Sequence, residues 1–145
     1  YSDLNQYLID YCISCYLKKF DLTNNVAYKK VIDYSVCVTA NLLKAHAIIC
    51  VTVDGMSPTI LSSYRAKAPI YAITANEQVA RHLSLIWNVQ PCYIENYSNH
   101  RDLIQKGIEK LKEMKLLIPG DTVVITGDDE KIKDEEGKHA SLGSR

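Results

Sequence analysis

The rhythm of apolar and polar positions changes near residue 46. Upstream, the spacing is helical. Leu4, Leu8, Tyr11, Cys12 and Cys15 share one stripe and predict a helix over residues 4–19, with Lys18 and Lys19 near its end. Thr23 or Asn24 can cap a second helix over roughly 25–44. In that segment Val31, Tyr34, Val36, Cys37, Val38, Ala40, Leu42 and Leu43 surround most of the circumference. A helix apolar nearly all round is buried on two sides. One side is expected to face this domain's sheet and the other a second domain or subunit.

Downstream of residue 46, strand and helix patterns alternate. "AIICVTV" (47–53) is a near-continuous apolar run, as in a parallel strand covered on both faces. A helix is predicted over 58–66, with Ser57 as N-cap and Pro58 in first position. "APIYAIT" (68–74) is the second strand, and "NEQVARHLSLI" (76–86) a helix opened by an Asn cap. "VQPCYIE" (89–95) is a third strand, its Pro91 favouring an edge. Ile104, Ile108, Leu111 and Met114 set one face of a helix over 100–115, and Pro119-Gly120 turns the chain into "DTVVITG" (121–127). This order predicts a three-layer αβα domain with right-handed crossovers and a mostly parallel sheet of four to five strands. It spans residues 1–127. Residues 128–145 are a separate tail, in which "DDEKIKDEEGK" (128–138) reads as a solvated, mobile loop.

Composition narrows the function classes. In 145 residues, 47% hydrophobic, one core suffices. Seventeen basic and seventeen acidic residues cancel, so the bulk charge gives no footprint for nucleic acid. No apolar stretch reaches the ~18 residues of a membrane span, and no secretory signal is visible, so a cytoplasmic location is expected. The odd set Cys12, Cys15, Cys37, Cys50 and Cys92 lies in apolar segments and reads as buried, reduced thiols. Cys12 and Cys15 form a C-x-x-C, but it lacks a second ligand pair at zinc spacing and sits in a helical pattern.

In open α/β sheets ligands gather beyond the carboxyl ends of the strands. "VDGMSP" (53–58), after the first strand, is therefore the first candidate site. Amides near Gly55, the hydroxyls of Thr52 and Ser57, and a helix dipole could hold an anion. The plainer reading is that Gly55 turns the chain and Ser57 caps a helix. No phosphate-loop, dinucleotide, nucleophile-elbow or zinc-protease motif occurs. No catalytic residue or metal ligand is assigned. His46, His82 and His100 read as surface or capping residues. Arg65 and Lys67 suit a helix end and could lie near an anion.

Residues 34–91 resemble the C-terminal domain of pyruvate kinase. The resemblance is carried by the small-residue helix before "AIICVT", the T-x-x-G-x-S loop at 52–57, "YRAKAPI" (64–70) and "AITANEQVARHLSLIWNVQP" (72–91). Weaker similarity reaches back to residue 4 and forward through "IPGDTVVITG". It implies a regulatory and oligomerisation domain appended to a catalytic barrel. That enzyme transfers a phosphoryl group from phosphoenolpyruvate to ADP in glycolysis, using magnesium and potassium bound in the barrel. The segment itself would hold no cofactor. A homotetramer is implied, with Tyr34, Val38 and Leu42 as interface candidates, and so is a site for fructose 1,6-bisphosphate or a similar sugar phosphate.

Here Thr52, Gly55 and Ser57 match the family's effector loop, whereas Asp54 stands where Ser is usual. The acidic segment 128–138 replaces a Gly-rich closing loop, and the family's Trp and Arg contacts have no clean counterparts, Arg101 being out of register. Poor binding of the bisphosphate is the expectation, with Thr52, Asp54, Gly55 and Ser57 as the site residues. The family's final strand is also expected beyond the closing loop, where this sequence ends in "ASLGSR". The alternative is a free-standing, non-catalytic module that binds a small phosphorylated ligand. A structural domain using only its apolar helix is a third reading.

Overall fold

The computed structural model describes residues 25–127 and the short segments 132–133 and 139–140. The helix expected over 4–19 and the Cys12–Cys15 pair lie outside the described residues. Helix α1 (Asn25–Leu43) leads into β1 (Ala47–Val51), followed by α2 (Met56–Ser63), β2 (Ile70–Thr74), α3 (Glu77–Leu83) and β3 (Val89–Tyr93). Then come α4 (His100–Glu113), β4 (Val123–Gly127) and the two-residue strands β5 (Ile132–Lys133) and β6 (His139–Ala140).

The main sheet has the order β3-β2-β1-β4, every pair parallel. Every residue of β1 and β2 is buried, which is why their sequences show no alternation. Side chains alternate between two cores. Ile48, Cys50, Ile70 and Ala72 meet Cys37, Ala40, Leu61 and Leu83 from α1, α2 and α3. Ile49, Val51, Tyr71 and Ile73 meet Leu103 and Leu111 from α4. Three layers result, with α4 alone on its face among the described helices. β3 lies at an edge, where Pro91 can lack an N–H without breaking an interior ladder. β5 and β6 form a separate antiparallel pair, Ile132 opposite Ala140.

Several boundaries differ from the pattern-based ones, each for a local reason. β1 stops at Val51 because Thr52 begins a turn, its Oγ1 accepting from Gly55 N at 2.8 Å. β4 starts at Val123 because the residues before it are tied elsewhere: Thr122 N donates to His46 Nδ1 at 3.0 Å, and Asp121 Oδ2 accepts from Ile118 N. Helix α3 opens as expected, Asn76 Oδ1 accepting from the amides of Gln78 and Val79.

The largest correction concerns α2. It begins at Met56, two residues before the expected start, with Gly55 rather than Ser57 at the N-cap. Gly55 has φ 83°, a left-handed conformation that glycine adopts without a Cβ penalty. Released from capping, Ser57 turns its hydroxyl elsewhere, as described below.

Cys37, Cys50 and Cys92 are buried. Burial, helped by the charge of Asp33, pushes the Cys37 thiol up to about 12, and burial raises Cys92 as well. At pH 8 these three thiols should resist alkylation in the folded protein and react on adding denaturant, as peptide-resolved mass spectrometry will show. The raised value also fixes a sign. The stability tied to Cys37 is complete below the unfolded thiol value of ~8.5, and is lost progressively as the pH rises above it toward 12.

Candidate functional site

A cleft of about 160 Å³ opens at the carboxyl edge of the sheet, on the side covered by α4. Its walls come from three connections: Thr52 and Val53 after β1, Thr74 to Asn76 after β2, and Tyr97, His100 and Leu103 around the start of α4. The cleft therefore lies beyond the carboxyl ends of β1 and β2, the edge at which open α/β sheets hold ligands. The wall at α4 is held firmly. Asn99 Oδ1 caps the helix by accepting from Asp102 N, and Asp102 Oδ2 accepts from both the amide and hydroxyl of Ser98. Those bonds, led by the Ser98 amide, hold the Asp102 carboxyl below its usual range.

Polar and apolar groups share the lining of the cleft, and among the described residues it lacks a fixed cation. No Lys or Arg lines it among the described residues. Among those same described residues His100 is its one imidazole, and the His100 Nδ1 atom is buried without a hydrogen-bond partner there. No local pattern signals this position, because it depends on the fold of the β3–α4 connection.

The candidate loop residues Thr52, Asp54, Gly55 and Ser57 do come together, at the head of α2. Their donors, however, point to partners inside the protein. Gly55 N donates to Thr52 Oγ1 at 2.8 Å and Met56 N to Asp54 Oδ1 at 2.9 Å. Ser57 Oγ lies 2.9 and 2.8 Å from the two carboxylate oxygens of Asp33, itself only 1% exposed. Asp33 escaped the sequence reading because it is a lone acid within an apolar helix, 24 residues from its partner. Two amides and a hydroxyl that could have served an anion thus serve the chain's own oxygens, two of the three acceptors being carboxylates.

Arg65 and Lys67 are not part of this site. They follow the far end of α2, and Arg65 stacks 4.4 Å from the ring centroid of Trp87. Of the expected contact residues on α1, Tyr34 is half-buried and packs edge-on against Tyr64 at 4.9 Å. Val38 is half-buried and Leu42 is 57% exposed. Among the described residues no group of three His, Cys, Asp or Glu side chains gathers to hold a metal, and no helix is long and apolar enough to cross a membrane.

Layer order and strand order together define a doubly wound, three-layer α/β domain. Comparison with known proteins makes the class specific. Residues 30–138 match the family described as "Pyruvate kinase, alpha/beta domain", and the chain belongs to that family. It is 37% identical over 95 residues to a pyruvate kinase of Clostridium acetobutylicum, covering 66% of this chain and 20% of that protein. A pyruvate kinase of Thermotoga maritima is 32% identical over 114 residues, covering 75% of this chain and 24% of the relative. The crystal structure of Cryptosporidium parvum pyruvate kinase superposes with a TM-score of 0.64 at 26% identity, over 68% of this chain and 20% of that one. The chain thus spans about a fifth to a quarter of the length of these relatives.

Proposed function

We propose that this chain is the C-terminal regulatory and subunit-contact domain of a pyruvate kinase. The complete enzyme would transfer a phosphoryl group from phosphoenolpyruvate to ADP in the cytoplasm, as a step of glycolysis. Magnesium and potassium would sit in its catalytic barrel, outside this chain. Tyr34, Val38 and Leu42 on α1 would contribute to the contact between subunits of a homotetramer. The observation that carries the reading is the family match through 30–138, at a chain length far short of a barrel. Sizing the polypeptide in the source cells with an antibody to this domain tests it. A species much larger than 16.4 kDa, co-purifying with pyruvate kinase activity, is expected. A species near 16.4 kDa would instead make the chain a free-standing binding module.

Within that enzyme the domain binds fructose 1,6-bisphosphate poorly. The internal bonding at the head of α2 supports this, as does a cleft with no Lys or Arg among its described lining residues. Bringing a phosphate within about 4 Å of the Asp54 carboxylate costs about 4 kcal/mol per pair of unit charges at an effective dielectric of 20. Replacing Asp54 by Ser should therefore let the bisphosphate raise the unfolding temperature. A ligand at 100 times its dissociation constant adds about 2.7 kcal/mol. If the variant still shows no shift, Asp54 is not the main obstacle and the acidic segment 128–138 becomes the suspect.

A further inference from the structure

The cleft beside α4 keeps hydrogen-bonding capacity that the described residues do not use. Thr74 lines it and is itself fully buried, so it lies at the floor. Its Oγ1 accepts from Asn76 N at 3.2 Å, which leaves the hydroxyl proton to donate. Asn76 Oδ1 accepts from the amides of Gln78 and Val79, so its NH2 group is left for another partner. His100 adds the buried Nδ1 atom that meets no partner among the described residues. A buried polar atom without a partner is costly, and a ligand that supplies one recovers that cost.

Apolar groups make the rest of the wall. Val51, Val53 and Leu103 face the cleft together with Tyr97, which also packs against the core under α4. Such walls suit a flat ring, with Tyr97 as its aromatic neighbour. Size sets the limit. At about 160 Å³ the cleft is close to the ~150 Å³ cavity that accepts benzene, and well short of the ~300 Å³ at which sites for drug-sized ligands begin. One six-membered ring with a small substituent fits.

Charge decides the class of ring. No described lining residue carries a fixed charge. The residues next to them in sequence bring three carboxylates, Asp54, Glu77 and Asp102, against the one guanidinium of Arg101. That balance disfavours an anion. It does not invite a cation either, because Glu77 lies 2.9 Å from Arg81 and Asp102 3.2 Å from Lys106, while Asp54 Oδ1 accepts from Met56 N. An uncharged amide unit matches what remains: its carbonyl accepts from Thr74 and Asn76, and its N–H or ring nitrogen meets the imidazole.

We propose that this cleft binds a single uncharged heterocycle bearing a ring carbonyl or a carboxamide, of the size of nicotinamide or uracil, in place of a sugar phosphate. The inference rests on the reading that the domain binds fructose 1,6-bisphosphate poorly. It adds the kind of molecule that the cleft accepts instead.

The test titrates the full-length polypeptide with nicotinamide and with uracil, binding being read by saturation-transfer NMR. At least one of the two rings should bind, and inorganic phosphate should not displace it. Two variants locate the site. Asn76→Asp keeps the cap of α3, since Asp and Asn cap equally well, and removes the NH2 donor. Thr74→Val removes the hydroxyl at nearly constant shape. Each should weaken binding by up to about tenfold, the range for one lost hydrogen bond. Full-strength binding in both variants would put the ring elsewhere and overturn the proposal, as would displacement by phosphate. Silence from both rings, with the bisphosphate also failing to raise the unfolding temperature, overturns this inference alone. A ring displaced by the bisphosphate overturns both this inference and the reading beneath it.

Discussion

Replacing Ser57 by alanine should lower the stability of the domain by about 2 kcal/mol, the usual range for a hydrogen bond to a charged group. For a domain of this size that is a drop of roughly 6–10 °C in the unfolding midpoint. The reason lies on α1. Asp33 is 1% exposed and both its oxygens are within 2.9 Å of Ser57 Oγ. Taking a carboxylate out of water is costly, and removing one of its donors leaves that cost less well offset. The positive end of the α2 dipole faces the same junction and helps, but it cannot replace a directed hydroxyl. The measurement also separates two roles for Ser57. A hydroxyl kept for a ligand is dispensable for folding, so an unchanged midpoint would return Ser57 to the binding reading. A large drop without ligand present makes it part of the α1–α2 junction.

This junction shows where the sequence was legible and where it was not. β1 and β2 could be read because each is a continuous apolar run with turn residues on both sides. Asn76 could be read as a cap because the amides that donate to its Oδ1 lie only two and three residues away. Family membership was legible for a similar reason, since "YRAKAPI" and the segments beside it are contiguous strings. The start of α2 was not legible. Ser57-Pro58 has the composition of a cap followed by a first helical residue, and local chemistry alone would place the start there. What moved it was a carboxylate 24 residues upstream, together with a left-handed Gly55 whose amide is held by Thr52. His100 was hidden in the same way: its place in the cleft depends on the packing of α4 against the sheet, which no local pattern reports.

Gly107→Val should have the largest effect of any single substitution considered, about 3 kcal/mol or more, enough to unfold much of the population of a marginal domain. Gly107 lies in the middle of α4, where glycine is ordinarily a poor choice and alanine would add up to about 1 kcal/mol. Packing explains its presence. A Cβ at this position would come within 3.0 Å of the Cγ1, Cγ2 and Cδ1 atoms of Ile73, a fully buried residue of β2. Glycine therefore sets how closely the helix lies on its face of the sheet, and through that the position of the cleft wall at Leu103 and His100. Gly107→Ala makes the argument quantitative, because propensity and overpacking oppose each other. Overpacking of about 1–3 kcal/mol should win, giving a net loss of about 1 kcal/mol. Shortening the opposing side chain by Ile73→Val removes the Cδ1 atom that a new Cβ would meet first. In the double variant the two losses should then fall short of additive by about 1 kcal/mol, as expected for residues in direct contact. Strict additivity in urea-unfolding midpoints would mean that α4 simply lifts away from the sheet, and that its glycine does not control the spacing of the two layers.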